Sequence, residues 1–438
     1  MLQSASPTAR PAARRRARRR LLGLTLILTC LALALPAGAS ACVPAGAGSG
    51  WFAQTSGTTA QLNDVAFIDA SRGWAVGTAG AIIATTDGGA TWATQTSGGG
   101  ASTWLSAVAF VDATRGWAVG HDDSGAVILA TTDGGVTWSE QESGIDYAWL
   151  QGVAFCDATR GWAVGDSGVI LATTNGGATW SKQTSGTTDA GFSAVAFSDA
   201  ANGWAVASSG GVRILATTNG GATWSAQTTG TTTSLSGVAF IDATRGWAVG
   251  EGGVILATTN GGATWSKQNA GPDTSYLNLT AVAFGDATHG WAVGGSGAIL
   301  ATTDGGATWS LQGSGSNAGL RGVAFADATR GWAVGSGGLI LATKSGGLPP
   351  APAAPTITKL QPASAKRGAT VTISGTGFGA SQGGGSVKFG AKTCTKYVSW
   401  SATLIKCKVP TAAKYGSLKV TVTTAAGASN AMSFTVKR

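Results

Sequence analysis

The chain has 438 residues, enough for more than one ordinary domain and for at least one large core. Only 11% of them are charged, while glycine reaches 69 and tryptophan 17, a balance that suits tightly turned β-structure and argues against a helical protein. The formal net charge of +9 hints at nucleic-acid binding, but its distribution removes that hint.

Seven arginines (Arg10, Arg14, Arg15, Arg16, Arg18, Arg19 and Arg20) fall in the first 41 residues, which hold no acid. They precede an apolar run from Leu21 to Leu35 and then Ala39-Ser40-Ala41, the charged, apolar and small-residue regions of a secretory signal too short to span a membrane comfortably. Without residues 1–41 the net charge falls to +2, and the protein is expected to be exported, either secreted or held at the cell surface. Arg18-Arg19-Arg20-Leu21-Leu22 also matches a twin-arginine export signal, and Cys42 after the cleavage site raises a lipid anchor. Against the anchor stands Ala39, where a lipobox usually has leucine. Route and anchor both stay open.

From residue 49 to 347 the chain repeats itself. GWAV recurs with tryptophan at 74, 117, 162, 204, 247, 291 and 332, spaced 41 to 45 residues apart, and TT(D/N)GG(A/V)TW recurs with tryptophan at 92, 138, 180, 224, 265 and 309. Each period contains four short runs rich in β-formers, separated by DATRG, a glycine pair and (D/N)GG, and none suits a helix. Four antiparallel strands per period of about 43 residues make a propeller blade, so an all-β, seven-bladed β-propeller is predicted. The seventh unit lacks its fourth strand: after Leu341-Ala342-Thr343 come Lys344-Ser345-Gly346-Gly347 and prolines. Gly50-Trp51-Phe52-Ala53-Gln54-Thr55-Ser56-Gly57 matches the missing piece, so the N-terminal strand is expected to close the ring.

TTDGGATW resembles the Asp-box (BNR) hairpin of sialidases and sortilin. Together with GWAVG the pattern is similar to the photosystem II assembly and stability factor propellers, a resemblance that implies the fold far more than a function. The turn residue is Asp87, Asp133 and Asp304 in three blades but Asn175, Asn219 and Asn260 in three others, an alternation expected of a structural turn rather than of a metal ligand or catalytic acid. In DATRG, Arg72, Arg115, Arg160, Arg245 and Arg330 each follow an aspartate by three residues, with Asn202 and His289 in the two other slots. These arginines form either local pairs, the preferred reading, or a ring for anionic partners; the family resemblance encourages the second, since arginine patches suit peptide carboxylates.

A ligand site is expected where blades differ, on the face built from inter-blade loops and second-to-third-strand turns. Trp104 and Trp149 stand there in slots that hold Gln61, Gly191, Ser234, Asn278 and Gly319 elsewhere. Asp146, Tyr147, Asp273 and Tyr276 share that class of loop; His121-Asp122-Asp123 lengthen one turn, and Asp166 and Glu251 occupy its equivalents. Aromatics beside carboxylates stack on sugars or grip an extended peptide, and loop packing explains them equally well.

Residues 348–355 are a Pro/Ala linker, and alternating runs beyond it predict a second all-β domain over 356–438. Its residues Pro355-Thr356-Ile357, Gly375-Thr376-Gly377-Phe378, Val387-Lys388-Phe389-Gly390 and Gly427-Ala428-Ser429-Asn430 resemble the IPT/TIG immunoglobulin-like family, implying a β-sandwich that serves as an adhesion or spacer module. From Lys359 to Arg438 it carries twelve basic residues and no acid, whereas residues 42–347 carry ten basic and twenty acidic ones. Anionic envelope polymer and the acidic propeller itself are equally fitting partners for it. Cys394 and Cys407 are expected to form a disulfide, and Cys156 to be a packed free thiol.

No HExxH, CxxC or phosphate-cradling loop is present, the only histidines are His121 and His289, and no cofactor or metal is expected. Outside repeat-equivalent slots the propeller has only Arg213 and Arg321, too few for the arginine trio of a sialidase. The preferred reading is a monomeric, exported binding scaffold without enzymatic activity, its propeller recognising a protein or glycan and its sandwich contacting the surface. The alternative is a glycoside hydrolase using paired carboxylates such as Asp166 and Glu251.

Overall fold

The computed structural model describes residues 50–145, 148–271, 274–348 and 354–438. Seven four-stranded antiparallel sheets follow one another from Gly50 to Gly347, each a blade. In blade 1, Leu62–Phe67 pairs with Gly73–Gly77, then Ile82–Thr85, then Ala93–Thr94. The GWAV strand is buried at every position, as expected for the second strand of a four-stranded sheet covered on both faces. In blade 7, Leu320–Phe325, Gly331–Gly335 and Ile340–Gly347 are completed by Gly50–Gln54, with Trp51 opposite Thr343 and Gln54 opposite Ile340. The N-terminal strand closes the ring, as the sequence predicted.

The blades are joined by one repeated device. The face of each GWAV tryptophan stacks on the phenylalanine ending the next blade's first strand, as with Trp204 on Phe240 at 3.4 Å and 4°. The Asp-box tryptophan of that next blade meets the same ring edge-on, Trp265 on Phe240 at 5.9 Å and 86°. Such pairs contribute about 0.5–1.5 kcal/mol each beyond the area they bury. The GWAV indole also donates to a hairpin carbonyl of the next blade, Trp204 Nε1 to the oxygen of Gly261 at 2.9 Å. The glycine before each tryptophan is needed because the phenylalanine ring lies against it; any Cβ at Gly246 would collide with Phe240.

The Asp-box turn explains why aspartate and asparagine alternate. Asp87 Oδ1 accepts the N–H of Thr91 at 2.9 Å and Oδ2 accepts its hydroxyl at 2.7 Å. Asn175 accepts the N–H of Thr179 in the same way, but its amide donates to the threonine hydroxyl at 2.9 Å. The hydroxyl reverses from donor to acceptor, so both residues hold one turn. These hydrogen bonds keep Asp87, Asp133 and Asp304 at about 2, below the usual carboxylate range.

The C-terminal unit is a sandwich of two sheets. One orders Thr356–Gln361, Thr370–Thr376, Leu404–Lys408 and Tyr397–Trp400; the other carries Ser364–Lys366, Met432–Lys437, Gly416–Thr424, Ser386–Phe389 and Lys392–Thr393. Val371, Ile373, Ile405, Val420, Val422 and Phe434 fill its core. The disulfide expected between Cys394 and Cys407 is not formed. Both are buried free thiols in hydrogen-bond contact, and Cys394 Sγ also donates to the carbonyls of Lys408 (3.2 Å) and Lys396 (3.4 Å). Cys156 is a free, half-buried thiol packed against the apolar cluster that contains Trp162 and Phe192, as expected.

Candidate functional site

Blade 2 departs from its sisters at the end where the second strand turns into the third. Those strands, Gly116–Asp122 and Gly125–Thr131, run seven residues each, against five and four in blade 3. The three added rungs pair Gly120 with Val127, His121 with Ala126 and Asp122 with Gly125, and Asp122 Oδ1 accepts the N–H groups of Ser124 (2.7 Å) and Gly125 (3.2 Å) to close the turn. The first strand also starts early, so that Trp104 pairs with His121.

The extension places the imidazole of His121 between two indoles. Its centroid lies 6.1 Å from that of Trp104 and 4.4 Å from that of Trp149, with planes inclined by 14° in both cases. The two indoles are 42% and 52% exposed, whereas every other tryptophan is buried or half-buried. Three stacked rings, each from a repeat slot filled by something smaller in most blades, form a ladder.

Carboxylates surround it. The Asp166 N–H donates to the carbonyl of Trp149 at 3.1 Å, which sets that side chain beside the ladder. Partial burial pushes the Asp166 carboxyl up, and nearby His121 draws it back. Burial likewise pushes His121 down, against the pull of Asp166 and Asp122, and its Nδ1 is buried without a hydrogen-bond partner. Asp123, next along the hairpin, is exposed. Blade 4 braces this corner, the Gly168 N–H donating to the carbonyl of Ala190 at 2.7 Å.

Trp104, Trp149, His121, Asp122, Asp123 and Asp166 are thus brought together at blades 2 and 3. Glu251 and Tyr276 are not part of this group. They sit at blades 5 and 6, where the Gly253 N–H donates to the carbonyl of Leu277 at 2.6 Å. Asp166 and Glu251, suggested as paired carboxylates, belong to these two separate groups with blade 4 between them. Asp146, Tyr147 and Asp273 lie outside the described residues.

At the opposite end of the blades, Arg72, Arg115, Arg160, Arg245 and Arg330 each meet their own aspartate at 2.6–2.8 Å, and His289 meets Asp286 at 2.8 Å. One oxygen of each aspartate accepts two turn N–H groups, as Asp112 does from Thr114 and Arg115, and the other accepts from the guanidinium. The hydrogen bonds depress these carboxyls well below the usual range. Each guanidinium is therefore engaged locally, the preferred of the two expectations.

One polar residue with no counterpart in the sequence-based expectations is Asp64. It lies on the first strand of blade 1, at the position held by Ala107, Gly152, Ala194, Gly237, Ala281 and Gly322 in the other blades. It faces the central channel, a cavity of about 190 Å³ that also touches Asn63, Ser106, Gln151 and Arg321. Its carboxylate accepts the N–H of Val65 at 2.8 Å and, across the blade boundary, that of Val108 at 2.9 Å. Desolvation within the channel raises it to about 6 in spite of those bonds. Comparing that one position across the seven repeats would have exposed it.

The sequence profile described as photosynthesis system II assembly factor YCF48 matches six overlapping stretches that together span residues 43–349. The chain belongs to this family. The IPT/TIG profile matches residues 355–436. Among the solved structures to which this propeller is similar are two of YCF48. One, described as YCF48 bound to D1 peptide, is 24% identical with a TM-score of 0.58, covering 69% of this chain and 98% of that one. The other, YCF48 from Cyanidioschyzon merolae, is 26% identical with a TM-score of 0.55, covering 67% and 98%. The GH74 xyloglucanase of Xanthomonas campestris, 13% identical over 75% of this chain and 59% of its own with a TM-score of 0.55, shares the fold. Among curated proteins, the cyclomaltodextrin glucanotransferases of Paenibacillus macerans and Niallia circulans are each 44% identical over 81 and 79 residues, 18% of this chain. The chain spans about 11% of the length of these curated relatives.

Proposed function

We propose that this YCF48-family chain is an exported, non-enzymatic binding scaffold whose propeller grips a segment of a protein partner at the Trp104–His121–Trp149 ladder. The observation that carries this reading is the exposure of two stacked indoles in a molecule that buries its other tryptophans at least in part. Exposed aromatics of this size are costly to solubility unless a partner covers them, and Trp is enriched among residues that dominate interfaces. A relative described as bound to D1 peptide supports a protein ligand over a glycan.

The sandwich is the surface-contacting module in this proposal. Eleven of its twelve basic side chains are exposed and come from both sheets, such as Lys406 and Lys408 on one and Lys388 and Lys419 on the other. Arg367 is the exception, half-buried with its guanidinium 3.8 Å above the ring of Tyr415. Anionic envelope polymer fits that charge, with attachment further supported by the apolar N-terminal segment and Cys42.

The propeller reading is tested by Trp104→Gln combined with Trp149→Ser, compared with the unsubstituted chain in capture from native envelope extract with mass-spectrometric identification. The double variant is expected to melt within a few degrees of the original and to lose its protein partner. Undiminished capture of the same partner would move the site off this face.

A further inference from the structure

Resting on the reading of the ladder as a binding site, we infer that it takes a cationic segment of its partner, an arginine or lysine side chain lying flat on an indole with its charge answered by Asp122, Asp123 and Asp166.

The stacking order limits how a ligand enters. His121 already fills the space between Trp104 and Trp149, with 4.4 Å between its centroid and that of Trp149. A ligand is therefore laid on the exposed indole surface instead of being clamped between the two rings. The face of an indole carries negative electrostatic potential, and a planar guanidinium stacks on it more readily than any other protein group.

The carboxylates decide the sign of the ligand. At the other end of the blades the aspartates of the DATRG turns are matched locally, as Asp157 is by Arg160 at 2.7 Å. Beside the ladder, among the described residues, none of Asp122, Asp123 and Asp166 has an ion-pair partner. Arg213, the arginine in the second-to-third-strand turn of the neighbouring blade 4, donates its Nε to the carbonyl of Thr232 at 2.9 Å. Asp166 is partly desolvated as well, which pushes its carboxyl upward, and an arriving cation would relieve that penalty. An anionic segment would be repelled, and a neutral sugar would gain the stacking while bringing no counter-charge to the three carboxylates. The surplus of acids over bases across residues 42–347 adds long-range attraction of the same sign.

The test uses the full chain and three synthetic peptides of one length and backbone, differing only at four positions that are all arginine, all citrulline or all glutamate. Titration is followed by tryptophan fluorescence and calorimetry. The arginine peptide is expected to bind about tenfold more tightly than the citrulline peptide, with no measurable binding of the glutamate peptide. Asp166→Asn and Asp123→Asn should each weaken the arginine peptide several-fold and leave the citrulline peptide unchanged. Trp149→Ser should abolish both. Asp166→Asn keeps shape and packing, so it decides the matter even where the tryptophan variant loses stability.

Equal affinity for arginine and citrulline, both lost in Trp149→Ser, would discard the cation and keep the binding face. Arginine-peptide binding that survives Trp149→Ser would place the contact elsewhere on the acidic propeller and overturn the inference. A neutral β-glucan oligosaccharide that binds in a Trp149-dependent manner where the arginine peptide does not would replace the peptide with a sugar. Loss of partner capture in the Trp104→Gln/Trp149→Ser chain without any arginine preference would sink this inference alone.

Discussion

The indole of Trp332, in the last blade, donates to the carbonyl oxygen of Gly88, in the first, at 3.1 Å across 244 residues of sequence. It completes a series that passes from blade to blade, and its neighbours at the seam come from the N-terminal strand. Gln54 Nε2 donates to the same carbonyl at 3.0 Å, and Trp51 packs edge-on against Phe325 at 5.9 Å. Deleting Gly50–Gln54 therefore strips the outer edge of Ile340–Gly347, which keeps only Gly331–Gly335 as a partner, and bares the last blade's core. A lower and broader melting transition is expected by calorimetry, and Trp51→Ala alone should cost about 3–5 kcal/mol. An unchanged midpoint for the deletion would mean that the ring closes without this strand.

Gly246→Ala is expected to destabilise the propeller by about 1–3 kcal/mol, because the new methyl group meets the ring of Phe240 and that ring cannot move away. Trp204 covers one of its faces at 3.4 Å, and Trp265 stands against it at 5.9 Å. Gly211→Ala is the control: it adds a methyl group to open space at an ordinary backbone angle and should be neutral or slightly stabilising. Chemical denaturation of the two variants side by side distinguishes collision from any general cost of losing glycine. Equal effects would refute the packing account.

Asp64 predicts a pH dependence. Its carboxyl is raised to about 6 in the folded chain against an ordinary value of 3.8, so its favourable contribution is complete below about pH 4 and is lost as pH rises through 6. Asp64→Ala installs the residue already found at three sister positions and removes that titration. Between pH 4 and 8 the stability difference should move in favour of the variant by about 2–3 kcal/mol. His121 and the turn aspartates are common to both chains and cancel. A difference that stays flat across this range would mean that the channel solvates the carboxylate.

The ring, its seven units and its seam were legible because a period of about 43 residues repeats both the apolar alternation and the turn glycines. The Asp-box alternation was legible too, since a charge required by chemistry would not be exchanged for an amide in half the units. What stayed hidden depends on contacts between units. Phe240 reads as an ordinary strand residue until two tryptophans from different blades are placed against it. Asp64 reads as one acid among twenty until the channel encloses it. The proximity of Trp104 and Trp149 followed from their equivalent slots, but His121 between them did not, because the added rungs lift it there. Cys394 and Cys407 were expected to be joined from their shared domain alone, whereas Cys394 Sγ is directed toward strand carbonyls.

The three added rungs of blade 2 bear on stoichiometry. Seven nearly identical blades give a ring seven nearly equivalent rotational settings, and a ligand that recognised only the repeat would find seven seats and no defined orientation. One lengthened hairpin, lying beside the one inter-blade loop that carries Trp149, removes that degeneracy. A partner docking there meets a single address per ring.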